Sequence, residues 1–217
     1  VICWQCEKGT AQGLFCAHCG AVLPANPDAT YFEVLGERPR FALDLKDVER
    51  RFKDAARQVH PDKFAQADPR ARKAALSQTV KLNEAWRTLR DEERRAAYLL
   101  GLGGVKVGTE EGSAGERPAL PPTLLMEVLE LREALAEARA RKDHAAVARL
   151  ADDVRRRADN ERACLARALE EWAPDDHSGA AREKAQTAAN ALVALRYDNR
   201  FLEEVEAHEL ASEGDPS

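Results

Sequence analysis

Four cysteines crowd the first nineteen residues, and their spacing is that of a metal site. Cys3, Cys6, Cys16 and Cys19 read C-x2-C-x9-C-x2-C. Each C-x2-C pair forms a tight turn that points two sulfurs at one ion, and four thiolates complete the closed tetrahedral shell of structural zinc. Gly20 follows the second pair and permits the backbone turn there. Residues 1–24 hold too few apolar groups to fold alone, so bound metal supplies their folding free energy. A disulfide framework suits small secreted chains, whereas most of this chain is long and cysteine-poor. A thioredoxin-type redox pair needs a strand–helix setting that this segment lacks. The expectation is a structural site without open coordination and without catalysis. Zn2+ is the default ion, and iron on four thiolates is the alternative. Cys164, alone in a helical run, reads as an inert buried thiol.

The second signal is His60-Pro61-Asp62. Pro61 forbids continuation of a helix and biases His60 away from helical backbone, so a charged tripeptide is held at a loop tip. A histidine near carboxylates could act as a base, but no nucleophile or second histidine lies at a useful local spacing. The segment before it, 44–59, repeats Leu45, Val48, Phe52, Ala55 and Val59 on one helical face. Lys46, Arg50, Lys53 and Arg57 repeat at the same spacing on another face. A helix with one buried side and one basic ridge follows. A second helix is expected from about residue 68 to 89, with Ala71, Ala75, Leu82 and Trp86 inward, antiparallel to the first. Asp28 or Thr30 caps a short helix upstream that ends near Gly36.

The frame for these signals is a chain of 217 residues, 44% hydrophobic, 33% charged and 6% aromatic, with a net charge of −5. Few aromatic and β-branched residues beside abundant Ala, Leu, Glu and Arg predict a mostly α fold. No apolar run approaches the roughly 18 residues of a membrane span. Charge divides unevenly: 1–27 is neutral, 28–100 carries +3 and 101–217 carries −8. The neutral cysteine segment has one Lys and no Arg, which argues against a nucleic-acid-binding zinc ribbon. The expected domains are a metal-binding knuckle (1–27), a basic helical domain (28–100), a Gly/Pro-rich linker (101–120) and an acidic three-helix bundle (121–217).

In the bundle, helices are expected at about 121–141, 143–172 and 178–212. On the first, Leu124, Val128, Leu131, Leu135 and Ala138 share the core face. Leu125, Met126, Leu129 and Glu133 fall on the other side, more apolar surface than one core needs. On the last, Leu192, Leu195 and Leu202 line one side while Arg196, Tyr197, Arg200 and Phe201 crowd the opposite one. Aromatic and Arg residues are enriched at interface hot spots, and the two back faces suggest one docking surface.

YFEVLG (31–36), the basic helix, HPDK (60–63) and NEAWRTLRD (83–91) together resemble a J-domain, the module that activates seventy-kilodalton heat-shock chaperones. The resemblance implies that Lys46, Arg50, Lys53 and Arg57 steer docking and that His60, Pro61 and Asp62 trigger ATP hydrolysis by the chaperone. LLMEVLELREAL and LRYDNRFLEEVE resemble the C-terminal domain of HscB, the J-type co-chaperone of iron–sulfur cluster assembly. C-W-x-C and F-C-x-x-C resemble the metal-binding extension of some HscB proteins. That resemblance implies a non-enzymatic protein with two partners, a DnaK/HscA-type chaperone and an IscU-type cluster scaffold. Leu125, Met126, Leu129, Glu130, Glu133, Arg196, Tyr197, Arg200 and Phe201 would contact the scaffold. It implies no nucleic acid or membrane partner, and a monomer or weak homodimer. The bacterial cytoplasm is the expected compartment, the mitochondrial matrix the alternative. The runner-up reading is a J-domain adaptor for a different client, with the metal clip as a recruiting or dimerising module.

Overall fold

A computed structural model describes residues 1–107 and 122–213. Most of the expected linker, from residue 108 onward, therefore lies outside the described residues. The chain divides into two compact units, Val1–Arg95 and Ala96–Ser217, and each is described by itself.

The first unit begins with the cysteine knuckle, whose backbone pairs only at two isolated antiparallel bridges, Ile2 with Gly9 and Phe15 with Val22. Helix α1 (Tyr31–Val34) starts at a reciprocal capping box. The Thr30 hydroxyl accepts from the Glu33 N–H at 3.2 Å, and the Glu33 carboxylate accepts from the Thr30 N–H at 2.7 Å. Helix α2 (Leu45–Gln58) is capped by Asp44, which accepts from the Lys46 and Asp47 amides. A 3-10 turn over Pro61–Phe64 follows, and helix α3 (Pro69–Arg90) starts with proline in its first turn behind an Asp68 cap. Phe32, Val48, Val59, Ala75, Leu82, Ala85 and Leu89 are fully buried and form the centre of this unit.

The antiparallel course of α2 and α3 is visible in two contacts. Phe52 stacks on Trp86 at 5.5 Å, while Val59, further along α2, meets Thr79, further back along α3. Ridges of small residues on α3 (Ala71, Ala74, Ala75) permit this close approach. Helix α4 (Glu92–Leu102) contains the division between the units, after Arg95. Arg95 is itself buried: its guanidinium donates to the Leu89 carbonyl at 2.6 Å and lies over the Phe41 ring.

The second unit holds α5 (Pro122–Ala140), α6 (His144–Leu169) and α7 (Gly179–Glu213). Turn chemistry fixes both connections. Asp143 caps α6 by accepting from the Ala146 N–H at 2.9 Å, and the Ser178 hydroxyl accepts from the Ala181 N–H at 3.2 Å. Leu165, Leu169, Ala188, Leu192 and Leu195 are fully buried on α6 and α7. Leu135 and Ala138 of α5 close a cluster with Val147, Ala151 and Val154 of α6 and Phe201 and Val205 of α7.

Of residues 101–107, expected as the start of a linker, Gly101 and Leu102 end α4, Val107 is buried, and Gly103 lies against Trp172. Gly103 follows α4, and a methyl group there would lie 2.5 Å from Cη2 of Trp172, whose indole N–H donates to the Ala181 carbonyl. Gly103→Ala should therefore cost the second unit about 1–3 kcal/mol through overpacking. Urea unfolding followed by far-ultraviolet circular dichroism measures this, and an unchanged midpoint contradicts the packing described.

Candidate functional site

The knuckle is built from two copies of one turn, thirteen residues apart. The Cys3 N–H donates to the Lys8 carbonyl at 3.0 Å, and the Cys16 N–H to the Ala21 carbonyl at 2.8 Å. The Gln5 and His18 amides each lie 3.4 Å from the sulfur of the first cysteine in their pair. Each turn needs left-handed backbone just after its second cysteine, at Glu7 (φ 58°) and Gly20 (φ 72°). Gly20 adopts it without steric cost, and Glu7 adopts it against its preference.

The four Sγ atoms lie within 4.8 Å of one another. Cys3 and Cys19 are 3.6 Å apart, Cys6 and Cys16 3.8 Å, far beyond the roughly 2.05 Å of a disulfide. A tetrahedron with metal–sulfur bonds of about 2.3 Å has sulfur–sulfur edges of about 3.8 Å, so the donor set fits a metal ion. Burial pushes the Cys16 thiol up, but hydrogen bonds from the His18 and Cys19 amides and from neighbouring thiols bring it down to about 6. At Cys19 the Ala21 amide acts downward, and burial together with the Cys6, Cys3 and Cys16 sulfurs carries it up to about 12. A divalent cation at the centre of the four sulfurs favours the thiolate form of its ligands. Cys164 is half-buried on α6, away from this group in sequence and in unit.

The second constellation lies along α2 and the turn after it. Lys46, Arg50, Lys53 and Arg57 are all exposed on the face opposite Val48 and Phe52. Arg50 pairs with Asp47, Lys53 with Glu49 at 2.7 Å, and Arg57 with Asp54. Exposed pairs of this kind are worth about 0–1 kcal/mol, so the cations can exchange these carboxylates for those of a partner at little cost. At the end of the ridge, Val59 is buried and His60 is extended (φ −55°, ψ 130°). The His60 and Asp62 side chains are 56% and 89% exposed, while the Asp62 N–H donates to His60 Nδ1 at 3.4 Å. Thr79 of α3 fixes the turn from behind by donating to the Val59 carbonyl at 3.2 Å, a proton it shares with the Ala75 carbonyl.

A third constellation lies on α5 and α7. Leu125, Met126 and Leu129 are 44%, 58% and 47% exposed, and Glu130 and Glu133 are exposed beside them. Helix α5 is thus buried on one side only, through Leu135 and Ala138. A groove beside this face is lined by Val128 and Arg132 of α5 and by Tyr197, Arg200 and Phe201 of α7. Arg200 is exposed, and Arg196 and Tyr197 are half-buried. Phe201 differs from the expectation of an exposed contact. It is 7% exposed and packs with Leu135 and Val205, because α5 covers the side of α7 that the sequence left open.

Three residues at these sites escaped sequence reasoning. Arg51 donates to the Leu35 and Gly36 carbonyls at 3.2 and 2.7 Å and to Glu37 at 2.8 Å, tying α2 to the loop after α1. Arg157 of α6 forms a bidentate pair with the fully buried Asp198 of α7 and reaches Glu127 of α5 at 3.6 Å. Gln78 of α3 holds the knuckle, as described below. Arg51 and Arg157 each sit one residue from an arginine that pairs within its own helix, and Gln78 lies in the mostly buried stripe of α3.

Comparison with known protein families matches the second and third of these constellations in order. Residues 30–98 match the DnaJ domain, and residues 120–206 match the HSCB C-terminal oligomerisation domain. An iron–sulfur cluster co-chaperone protein HscB homolog of Arabidopsis thaliana is 37% identical over 136 residues, 63% of this chain. That match spans 51% of the relative's length. The crystal structure of human co-chaperone protein HscB has the same fold, with a TM-score of 0.76 at 23% identity over 96% of this chain and 98% of that one. Chaperone HscB from Vibrio cholerae is 30% identical, with a TM-score of 0.65 over 83% of this chain and 98% of that one. With a DnaJ domain leading into an HscB C-terminal domain, and a relative of this identity covered almost end to end, the chain belongs to the HscB family.

Proposed function

We propose that this protein is a co-chaperone of iron–sulfur cluster assembly and not an enzyme. Through His60, Pro61 and Asp62 it stimulates ATP hydrolysis by a DnaK/HscA-type chaperone. On its second unit it carries an IscU-type scaffold as the client. The observation that carries this reading is the pairing of two exposed and chemically different surfaces on one chain. One is a rigid charged turn at the end of a basic ridge; the other is an apolar face edged by carboxylates beside an Arg/Tyr groove.

The physics suits each role. Complementary charge on the ridge raises the encounter rate with an acidic partner and fixes orientation more than it adds affinity. Leu125, Met126 and Leu129 supply apolar area, while Glu130, Glu133, Arg196, Tyr197 and Arg200 form a polar surround that sets register. Phe201 acts from beneath, as the floor of the groove. Adding the chain to a DnaK-type chaperone should raise its steady-state ATPase rate. A rate that stays at the basal value across a stoichiometric excess of the chain counts against the proposal.

The metal is proposed to be zinc, with a structural role. Purified under reducing conditions, the chain should carry one zinc per molecule, with four thiols that react with a disulfide reagent only after chelation. Affinity should fall as pH falls, since all four ligands bind deprotonated. Metal analysis showing four freely reactive thiols and no bound ion contradicts this.

A further inference from the structure

The co-chaperone reading gives the metal knuckle no task, yet the knuckle is not a free appendage. Gln78, in the middle of α3 and only 6% exposed, donates from Nε2 to the Gly13 carbonyl at 3.2 Å and to the Leu23 carbonyl at 3.0 Å. Beside it, the Ser77 hydroxyl accepts from the Ala25 N–H at 3.1 Å. One helical turn on, Lys81 donates to the Pro27 carbonyl at 3.2 Å. The knuckle's two arms are also tied together, since the Trp4 indole N–H donates to the Val22 carbonyl at 2.8 Å.

Gly13 lies between the two cysteine pairs and Leu23 follows the second pair. Their carbonyls come within reach of one side-chain amide only when the knuckle is folded. A segment this short and this poor in apolar groups folds with its metal and unfolds without it. Loss of the fold removes both acceptors of the Gln78 amide and opens this stretch of α3 to water. The next residue along α3 is Thr79, whose hydroxyl holds the Val59 carbonyl one residue before His60. A continuous chain of packed and hydrogen-bonded groups therefore runs from the thiolates to the His-Pro-Asp turn. Its bistable member, the knuckle, has two states that metal selects between.

We propose that the metal state of the knuckle controls the order of the α2–α3 hairpin and its turn, with Gln78 as the coupling residue. A thiophilic divalent cation is then a regulator of the J-domain as well as a support for the extension. The proposal rests on the four cysteines being a metal site, and its test separates the two.

The experiment is hydrogen–deuterium exchange on the full-length protein, reduced, with one zinc per chain or after stripping by a chelator. Metal content is measured on both samples. Stripping should speed exchange about tenfold in α3 around residues 77–82 and at residues 58–62, the scale of a lost hydrogen bond or two. Exchange in α6 and α7 should stay the same. Gln78→Leu should still bind one zinc per chain but show little further change in α3 on stripping. Ser77→Ala should show an intermediate response. Bound zinc with no change in α3 on stripping overturns the coupling alone, as does a full response in Gln78→Leu. A reconstituted chain that holds no zinc overturns the metal site and the coupling with it.

Discussion

His60→Gln should abolish stimulation of the chaperone's ATPase while leaving affinity for the scaffold unchanged. The His60 side chain is more than half exposed, and its Nδ1 accepts one long hydrogen bond from the Asp62 amide and lies 3.4 Å from the Asp62 carboxylate. Its replacement removes no packing, so stability should change by no more than about 0.5 kcal/mol. The backbone of the turn is held by other groups: Pro61 fixes its own φ, and Thr79 holds Val59. The variant therefore keeps the turn and loses only the imidazole that the turn presents. The proposed scaffold face lies on the second unit, which contains no atom of this turn. The measurements are single-turnover ATP hydrolysis by the chaperone and titration calorimetry against the scaffold. Full stimulation by the variant would show that the turn is not the trigger.

Leu125→Ala combined with Leu129→Ala should give the mirror image, weakened scaffold binding with intact stimulation of the chaperone alone. The two side chains are adjacent turns of one α5 face, each nearly half exposed. Truncating an apolar anchor at an interface commonly costs about 1–2 kcal/mol or more. Two of them together predict a loss of about 30- to 1,000-fold in affinity at 1.4 kcal/mol per factor of ten. The fold should tolerate the change, because α5 is anchored from its other side. Leu135 and Ala138 are buried against α6 and α7, Arg139 pairs with Glu204 at 2.9 Å, and Glu127 faces Arg157. Unaltered helicity with unaltered affinity would move the client site away from this face.

Much of this arrangement is legible in the sequence because its signals are local. The cysteine spacing, a cap at Asp28 or Thr30, the Asp44 cap and the proline after His60 each act within a few residues, and the structure places Thr30, Asp44 and His60 at the starts of the elements that follow them. The apolar periodicity of α2 and the two-sided pattern of α5 are likewise properties of one helix at a time. What escapes is set between elements. Arg51 stands next to Arg50 in sequence, but 100° of helical turn sends it to the loop after α1. Arg157 closes a run of three arginines and looks like its solvated neighbours, until α7 supplies Asp198. Phe201 reads as a back-face aromatic because the sequence of α7 does not say that α5 will lie on it. Gln78 is a polar residue in a mostly buried stripe, and only the folded knuckle supplies its acceptors.

The −5 net charge is likewise an average over unlike surfaces. The ridge on α2 and the carboxylate-edged face on α5 belong to different units and differ in chemistry. That separation is the core of the functional proposal, and one measurement addresses it directly. Steady-state ATPase of a DnaK/HscA-type chaperone is recorded with the chain alone, with an IscU-type scaffold alone, and with both. The adaptor account predicts a rate with both that exceeds the sum of the separate stimulations. A rate equal to that sum would mean that the chain does not deliver the client, and would contradict the account.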